Sequence, residues 1–357
     1  MNVEVIIGGI LLSAVVAVVS LPAVIRLAHR YDLLDHPGLH KRHKRPVPVL
    51  GGLGLFLSVW VPVGLAVLLL PGRFSDLAGS LLYIFLGAVL VFMVGFSDDL
   101  RPLTAWTKLV AQVAAGLILY VGGLSIDPIT IPFYGSVHIG QLSVVITIAW
   151  VVGLTNAINI IDGLDGLASG VSLIGAVTLA VVGALYQVGS VLVFAYVLIG
   201  FLAVFLYFNR YPARIFLGDG GSLQIGFYFA VISLLVPVKS FTAAALYLPL
   251  LALAVPLMEA VVSIVRRLIS GHNVMKADRR HLFHYLALAG LTPSQVVRVF
   301  WALSVVFGLF ALAMFFWNRL LVFGLLVLFM VVISIIFLIL LTDLSRQKRL
   351  GGRRARD

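Results

Sequence analysis

The strongest constraint on this chain is the recurrence, along its length, of apolar runs about twenty residues long. Hydrocarbon roughly 30 Å thick offers no partner to a backbone N–H or C=O, so such runs satisfy their own hydrogen bonds as helices. We place eleven spans, at 4–25, 51–71, 79–96, 107–124, 141–160, 171–188, 190–208, 222–238, 242–264, 295–316 and 320–342. Only 11% of the 357 residues are charged and the mean hydropathy is +1.14, values that a water-covered surface does not permit. The runs also lack the short alternating pattern of an outer-membrane barrel. The expected fold is an all-α polytopic membrane protein of about eleven helices. Residues 1–343 form one transmembrane domain and 344–357 a basic tail. The first span has no basic leader, lacks a convincing small-residue cleavage site and leads straight into the fold, so it reads as retained. Cysteine is absent, which excludes disulfides and thiolate metal sites.

Lysine and arginine set the expected orientation. With the N-terminus outside, only Arg73, Lys239 and Arg319 of the 25 basic residues fall in outer loops. The positive-inside rule then puts the C-terminus in the cytoplasm. The net charge of +11 is accounted for by topology and by anionic headgroups, without nucleic acid. On the outer side, "DPITIPFYGSVHIG" (127–140) alternates β-prone pieces with Pro and Gly and reads as a small hairpin.

Under this topology the unusual polar segments all reach the inner face. They are 35–52, 97–108, 156–170, 209–222 and 276–290. Asp98, Asp99, Asp162, Asp165 and Asp219 are five of only 14 acids, and all stand at helix ends or in glycine-containing loops. Carboxylates at a bilayer surface need a counter-charge or water. Oxygen-only donors suit a hard ion such as Mg²⁺, which takes one or two carboxylates and completes its shell from phosphate oxygens. "DGLDG" and "GDGG" allow close backbone approach, so amide N–H groups can cradle an anion. His281 and His284, three apart beside Arg279 and Arg280, suit donation to a sugar or diphosphate better than zinc binding.

Taken in order, these segments resemble the polyprenyl-phosphate N-acetylhexosamine-1-phosphate transferases. The resemblance runs from about residue 35 to 290. Asp98 and Asp99 match the family's paired acids, and Lys108 and Gln112 its following polar pair. "NIIDGLDG" matches at Asn159, Asp162 and Asp165, with Asn156 just before. "NRYPARIFLGDGGS" matches at Asn209, and Asp219 falls at the family's magnesium ligand. Lys41 and His43 fit its basic loop near the N-terminus.

The resemblance implies a cytoplasmic-face, Mg²⁺-dependent enzyme of the cell membrane, with Mn²⁺ as a substitute ion. It implies transfer of a sugar phosphate from a UDP-N-acetylhexosamine to a polyprenyl phosphate, with release of UMP. Asp219 is then expected as metal ligand with Asp99 in or near its shell, Asp98 as the residue that orients or deprotonates the lipid phosphate, and Lys108 as the balancing cation. Asn159, Asp162 and Asp165 would position the nucleotide. Lys41, His43, Asn156, Asn209, Arg279, Arg280, His281 and His284 complete the expected substrate contacts. Membrane lipids are the other partner, and a homodimer is left open. "HLFH" departs from the His-x-His-His of the branch using UDP-N-acetylglucosamine, with Phe283 in place of one imidazole, and departs further from the three histidines of the muramoyl-pentapeptide branch. The first branch is favoured and the second kept as the alternative. A transporter, the alternative of another class, would carry its ionisable residues near the bilayer midplane.

Overall fold

A computed structural model describes residues 3–37, 45–70, 72, 75–131, 135–235, 249–269 and 281–335. Its elements are the helices α1 (Val3–Arg30), α2 (Gly51–Leu69), α3 (Ser75–Leu100), α4 (Ala105–Val121), α5 (Leu142–Ile161), α6 (Leu167–Leu185), α7 (Gly189–Asn209), α8 (Gly218–Leu235), α9 (Ala254–Ile269), α10 (Leu282–Leu288), α11 (Pro293–Phe316) and α12 (Arg319–Ile335). Two short antiparallel pairs join them: β1 (Leu34–Asp35) with β2 (Val47–Pro48), and β3 (Ile129–Ile131) with β4 (Gly135–Val137). The second pair is the hairpin expected at 127–140.

Among the described residues, seven helices are long and apolar enough to cross a membrane: α1, α2, α3, α5, α6, α7 and α11. The fourth and eleventh expected spans form shorter apolar helices, α4 and α12. The eighth begins at Gly218, earlier than expected, and so takes Asp219 into its first turn. The ninth falls partly on 236–248, outside the described residues; its described part is α9. The tail 344–357 also lies outside them.

α8 is the central helix. Every residue from Gly220 to Ile232 is buried, and α2, α3, α5 and α7 pack around it. Its side chains are therefore met by other helices on every side, whereas those of α1 and α3 are buried over only about a third of their length. The first turn of α8 is met by the ends of two neighbours at backbone distance. A Cβ on Gly52 of α2 would run into the Gly220 carbonyl carbon, and one on Gly95 of α3 would lie 2.6 Å from the Asp219 carbonyl oxygen. The approach to α2 is also hydrogen-bonded: the N–H groups of Gly51 and Gly52 donate to the carbonyls of Phe216 and Leu217, and Phe216 N–H donates to Pro48. The glycines thus bring the C-terminal end of α3, the N-terminal end of α2 and the N-terminal end of α8 to one end of the bundle. α1 lies against α2 and α7, while α4 packs on α3 and α5.

Candidate active site

The polar residues meet where these helix ends converge. Asp98 and Asp99 close α3, and the chain then turns through 101–104 into α4. Thr104 caps α4 by accepting from Thr107 N–H at 3.2 Å, and Asp98 Oδ1 accepts from Leu103 N–H at 2.7 Å. The tightened loop puts Lys108, in the first turn of α4, back against the acids. Its Nζ donates to Asp98 Oδ2 at 3.3 Å and to Asp219 Oδ2 at 2.8 Å. One ammonium therefore bridges two carboxylates that are 121 positions apart in the chain. From α5, Asn159 Nδ2 donates to Asp219 Oδ1 at 2.9 Å and to Ser222 Oγ at 2.9 Å.

Asp99 has a different task. Its Oδ1 accepts from Asp219 N–H at 2.7 Å and its Oδ2 from Gly220 N–H at 2.9 Å. The first amides of a helix have no partner within it and need acceptors from elsewhere. A residue from another helix thus supplies the cap of α8. Gly218 makes room for it: its φ is +71°, and a Cβ there would lie 2.5 Å from Asp99 Oδ2. Expected beside the metal, Asp99 is found holding the backbone of the residue expected to bind it.

The loops on either side are clamped by the other expected residues. Asp165 Oδ2 accepts from Ala213 N–H at 2.9 Å. Asn209, buried at 4% exposure, accepts from Gly166 N–H and Ser169 Oγ and donates to the Ile215 carbonyl. Both residues therefore tie the DGLDG loop to 209–215. Asn156 donates to Gln112 Oε1 at 2.6 Å, a half-buried amide pair between α5 and α4. Asp162, in the loop after α5, has its carboxyl pushed up to about 7, first by burial and then by the negative charges of Asp219 and Asp165.

The late loop docks on the same face. Phe283 is buried and its ring rests on Gly163, where a Cβ would stand 2.6 Å from the ring edge. The ring stacks at 5.4 Å on His281 and lies 4.4 Å from His284. His281 Nδ1 lies 3.1 Å from Glu259 of α9. Phe283 reads in the sequence as a missing imidazole; in the structure it anchors the two imidazoles that are present. Sequence reasoning also passed over Trp301, whose Nε1 donates to the Gly166 carbonyl at 3.2 Å, and Gln224, which donates to the carbonyls of Gly52 and Gly220. No spacing in the sequence pointed to either. Lys41, His43, Arg279 and Arg280 lie outside the described residues.

The donor set fits a small hard cation. Asp219 and Asp98 present oxygens to one positive charge, and both are oxygen donors of the kind Mg²⁺ takes in ones and twos. Among the described residues no group of three His, Cys, Asp or Glu could hold a metal by itself, so oxygens from a substrate would have to complete the shell.

Residues 81–237 match the model of glycosyl transferase family 4. Over 333 residues, covering 92% of this chain and 91% of the relative, the sequence is 31% identical to a probable undecaprenyl-phosphate N-acetylglucosaminyl 1-phosphate transferase of Bacillus subtilis. It is 33% identical over 308 residues, 79% of this chain and 77% of the relative, to a decaprenyl-phosphate N-acetylglucosaminephosphotransferase of Mycobacterium leprae. A phospho-N-acetylmuramoyl-pentapeptide-transferase of Staphylococcus saprophyticus is 27% identical over 319 residues, 85% and 96% of the two chains. With a half-buried polar cluster at one end of an apolar bundle, and with identity of this order across nearly the whole of a relative's length, the chain belongs to glycosyl transferase family 4.

Proposed function

We propose that this protein transfers N-acetylglucosamine-1-phosphate from UDP-N-acetylglucosamine to a polyprenyl phosphate at the cytoplasmic surface of the cell membrane. The carrying observation is the bridge from Lys108 to Asp98 and Asp219, at the end of a bundle whose flanks are apolar. A site of that kind serves a water-soluble diphosphate and a phosphate on a lipid tail together. The distribution of basic residues over the expected spans supports the cytoplasmic side.

In the reaction, an oxygen of the lipid phosphate attacks the β-phosphorus of the UDP-sugar. The bond from that phosphorus to the bridging oxygen breaks, and UMP leaves with the bridging oxygen. Positioning and charge stabilisation supply most of the catalysis in such transfers. Lys108 faces the incoming negative charge, Asn159 holds Asp219 in place, and Asp99 holds the α8 backbone on which Asp219 is mounted. Asp98 orients the lipid phosphate, which is largely ionised near neutral pH and needs little help from a base. Asp219 and Asp98 are the residues that would hold Mg²⁺, which when bound neutralises diphosphate oxygens. The DGLDG loop, with Asp162 and Asp165, faces the nucleotide, and His281 and His284 face the sugar and diphosphate.

The second reading, transfer of phospho-N-acetylmuramoyl-pentapeptide, is carried by the 27% identity to the staphylococcal relative. "HLFH" and the relatives above 30% identity favour N-acetylglucosamine. The deciding experiment gives the purified protein polyprenyl phosphate, Mg²⁺ and a panel of UDP-sugars, and measures UMP. Release with UDP-N-acetylglucosamine, lost in Asp219→Asn, is the expected result. Release only with the muramoyl-pentapeptide nucleotide would move the protein to the other branch, and no release with any sugar would end the reading.

A further inference from the structure

Glu259 is the one acid in the apolar run 242–264, and in α9 it is 2% exposed. Its Oε1 accepts from Leu282 N–H at 2.8 Å and faces His281 Nδ1 at 3.1 Å. Its Oε2 is buried and finds no hydrogen-bond partner among the described residues. Leaving one carboxyl oxygen buried and unsatisfied costs on the order of 1–3 kcal/mol. A group kept for packing alone would be better replaced by an apolar side chain of similar size.

The contact determines the state of the imidazole. With Glu259 as the carboxylate, Oε1 has only lone pairs to offer, to the Leu282 N–H and to the imidazole alike. The ring nitrogen facing it must then be the donor, so Nδ1 bears hydrogen. Nε2 points away from Glu259 and is the nitrogen left for a ligand. The face of the ring is held as well, by Phe283 stacked at an interplanar angle of 17° and itself seated on Gly163 of the DGLDG loop. The His281 side chain, 11% exposed, is thus fixed along one edge and one face.

We propose that Glu259 is a positioning residue: it sets the tautomer and the orientation of His281, so that Nε2 is presented to the sugar-diphosphate substrate. The proposal rests on the function assigned above and adds to it a residue that acts through another. Carboxylates that orient a metal-ligating histidine in this way change metal affinity or activity by about 10–100-fold when removed, and the same scale is taken for a histidine that faces a substrate.

The test uses the full chain in detergent or nanodiscs, with ¹⁵N-labelled histidine and a UMP-release assay. In wild type the His281 signal, assigned by its loss in His281→Ala, is expected to report hydrogen on Nδ1. Glu259→Ala is expected to move that hydrogen to Nε2 and to lower kcat by about 10–100-fold, with KM for polyprenyl phosphate unchanged. Glu259→Gln, whose amide oxygen can still accept both N–H groups, is expected to keep the wild-type tautomer and most of the activity. In the His281→Ala background, Glu259→Ala should cost nothing further. An unchanged tautomer in Glu259→Ala, or an equal loss with and without His281, would overturn the proposal. Absence of UMP release from wild type would instead overturn the function, and the tautomer would still decide the role of Glu259.

Discussion

Asp99 grips Asp219 by its backbone and not by its side chain: the Asp99 carboxylate accepts the N–H of Asp219 at 2.7 Å, while the Asp219 carboxylate is left to Lys108 and Asn159. Two adjacent acids in the sequence therefore serve different ends. Asp98 belongs to the charged cluster, and Asp99 fixes the helix on which the cluster is built.

The two should separate in mutation. Asp98→Asn can still accept from Leu103 N–H but loses its charge beside Lys108. It is expected to lower UMP release by at least about 100-fold with little change in melting temperature. Asp99→Ala leaves two amides at the buried start of α8 without acceptors and is expected to destabilise the protein by about 1–3 kcal/mol. Thermal unfolding in detergent, set beside UMP release for both variants, checks the contrast; equal melting temperatures would refute the capping role.

Gly95→Ala would place a methyl carbon 2.6 Å from the Asp219 carbonyl oxygen and 2.7 Å from Gly220 Cα, against backbone on both sides. α3 and α8 must then separate. Overpacking of this kind costs about 1–3 kcal/mol. Because Asp98 stands on α3 and Asp219 on α8, widening this contact parts the two carboxylates that share Lys108, so activity should fall more steeply than stability, as measured by comparing UMP release with the melting temperature.

Gly163 and Phe283 form a testable pair. Gly163→Ala pushes a Cβ into the Phe283 ring edge. It should raise KM for the UDP-sugar several-fold by lifting the late loop from the nucleotide loop. Phe283→Leu in the same protein shortens the side chain and should recover part of the loss. Steady-state kinetics of the two single variants and the double variant measure the coupling; additive losses would show that the contact does not couple the loops.

Asp162 makes stability depend on pH in a definite direction. Its carboxyl rises from the ordinary 3.8 to about 7 in the folded protein. The folded state then holds a proton that the unfolded state has released. The resulting stabilisation is complete below about pH 4 and is lost as pH rises through about 7. Melting temperatures between pH 4 and 8 should fall less steeply in Asp162→Asn than in wild type.

Much of this was legible in the sequence because membrane solvation acts on single residues. Apolar length alone sets where helices form, and five acids among 14 stand out against such a background. The hairpin, the gathering of Asp98, Lys108, Asn159 and Asp219, and the family resemblance were all readable from type, spacing and order. What each polar atom faces was not. Whether Asp99 turns its oxygens to a cation or to the α8 amides depends on how closely Gly95 and Gly218 let two helices approach. Likewise the partners of Asn209 and Asn156 within the protein, Gly166, Ser169, Ile215 and Gln112, are not readable from the sequence.

The sequence by itself determined the solvent in which the chain folds, the run of its helices and which residues carry charge, since each of these follows from the transfer free energy of local segments. Only the tertiary structure decided which acid meets the Lys108 ammonium, which one caps a helix, and which buried glutamate meets a histidine. Those assignments depend on distances of about 3 Å between segments far apart in the chain, and hydrogen-bond strength falls away steeply outside that range.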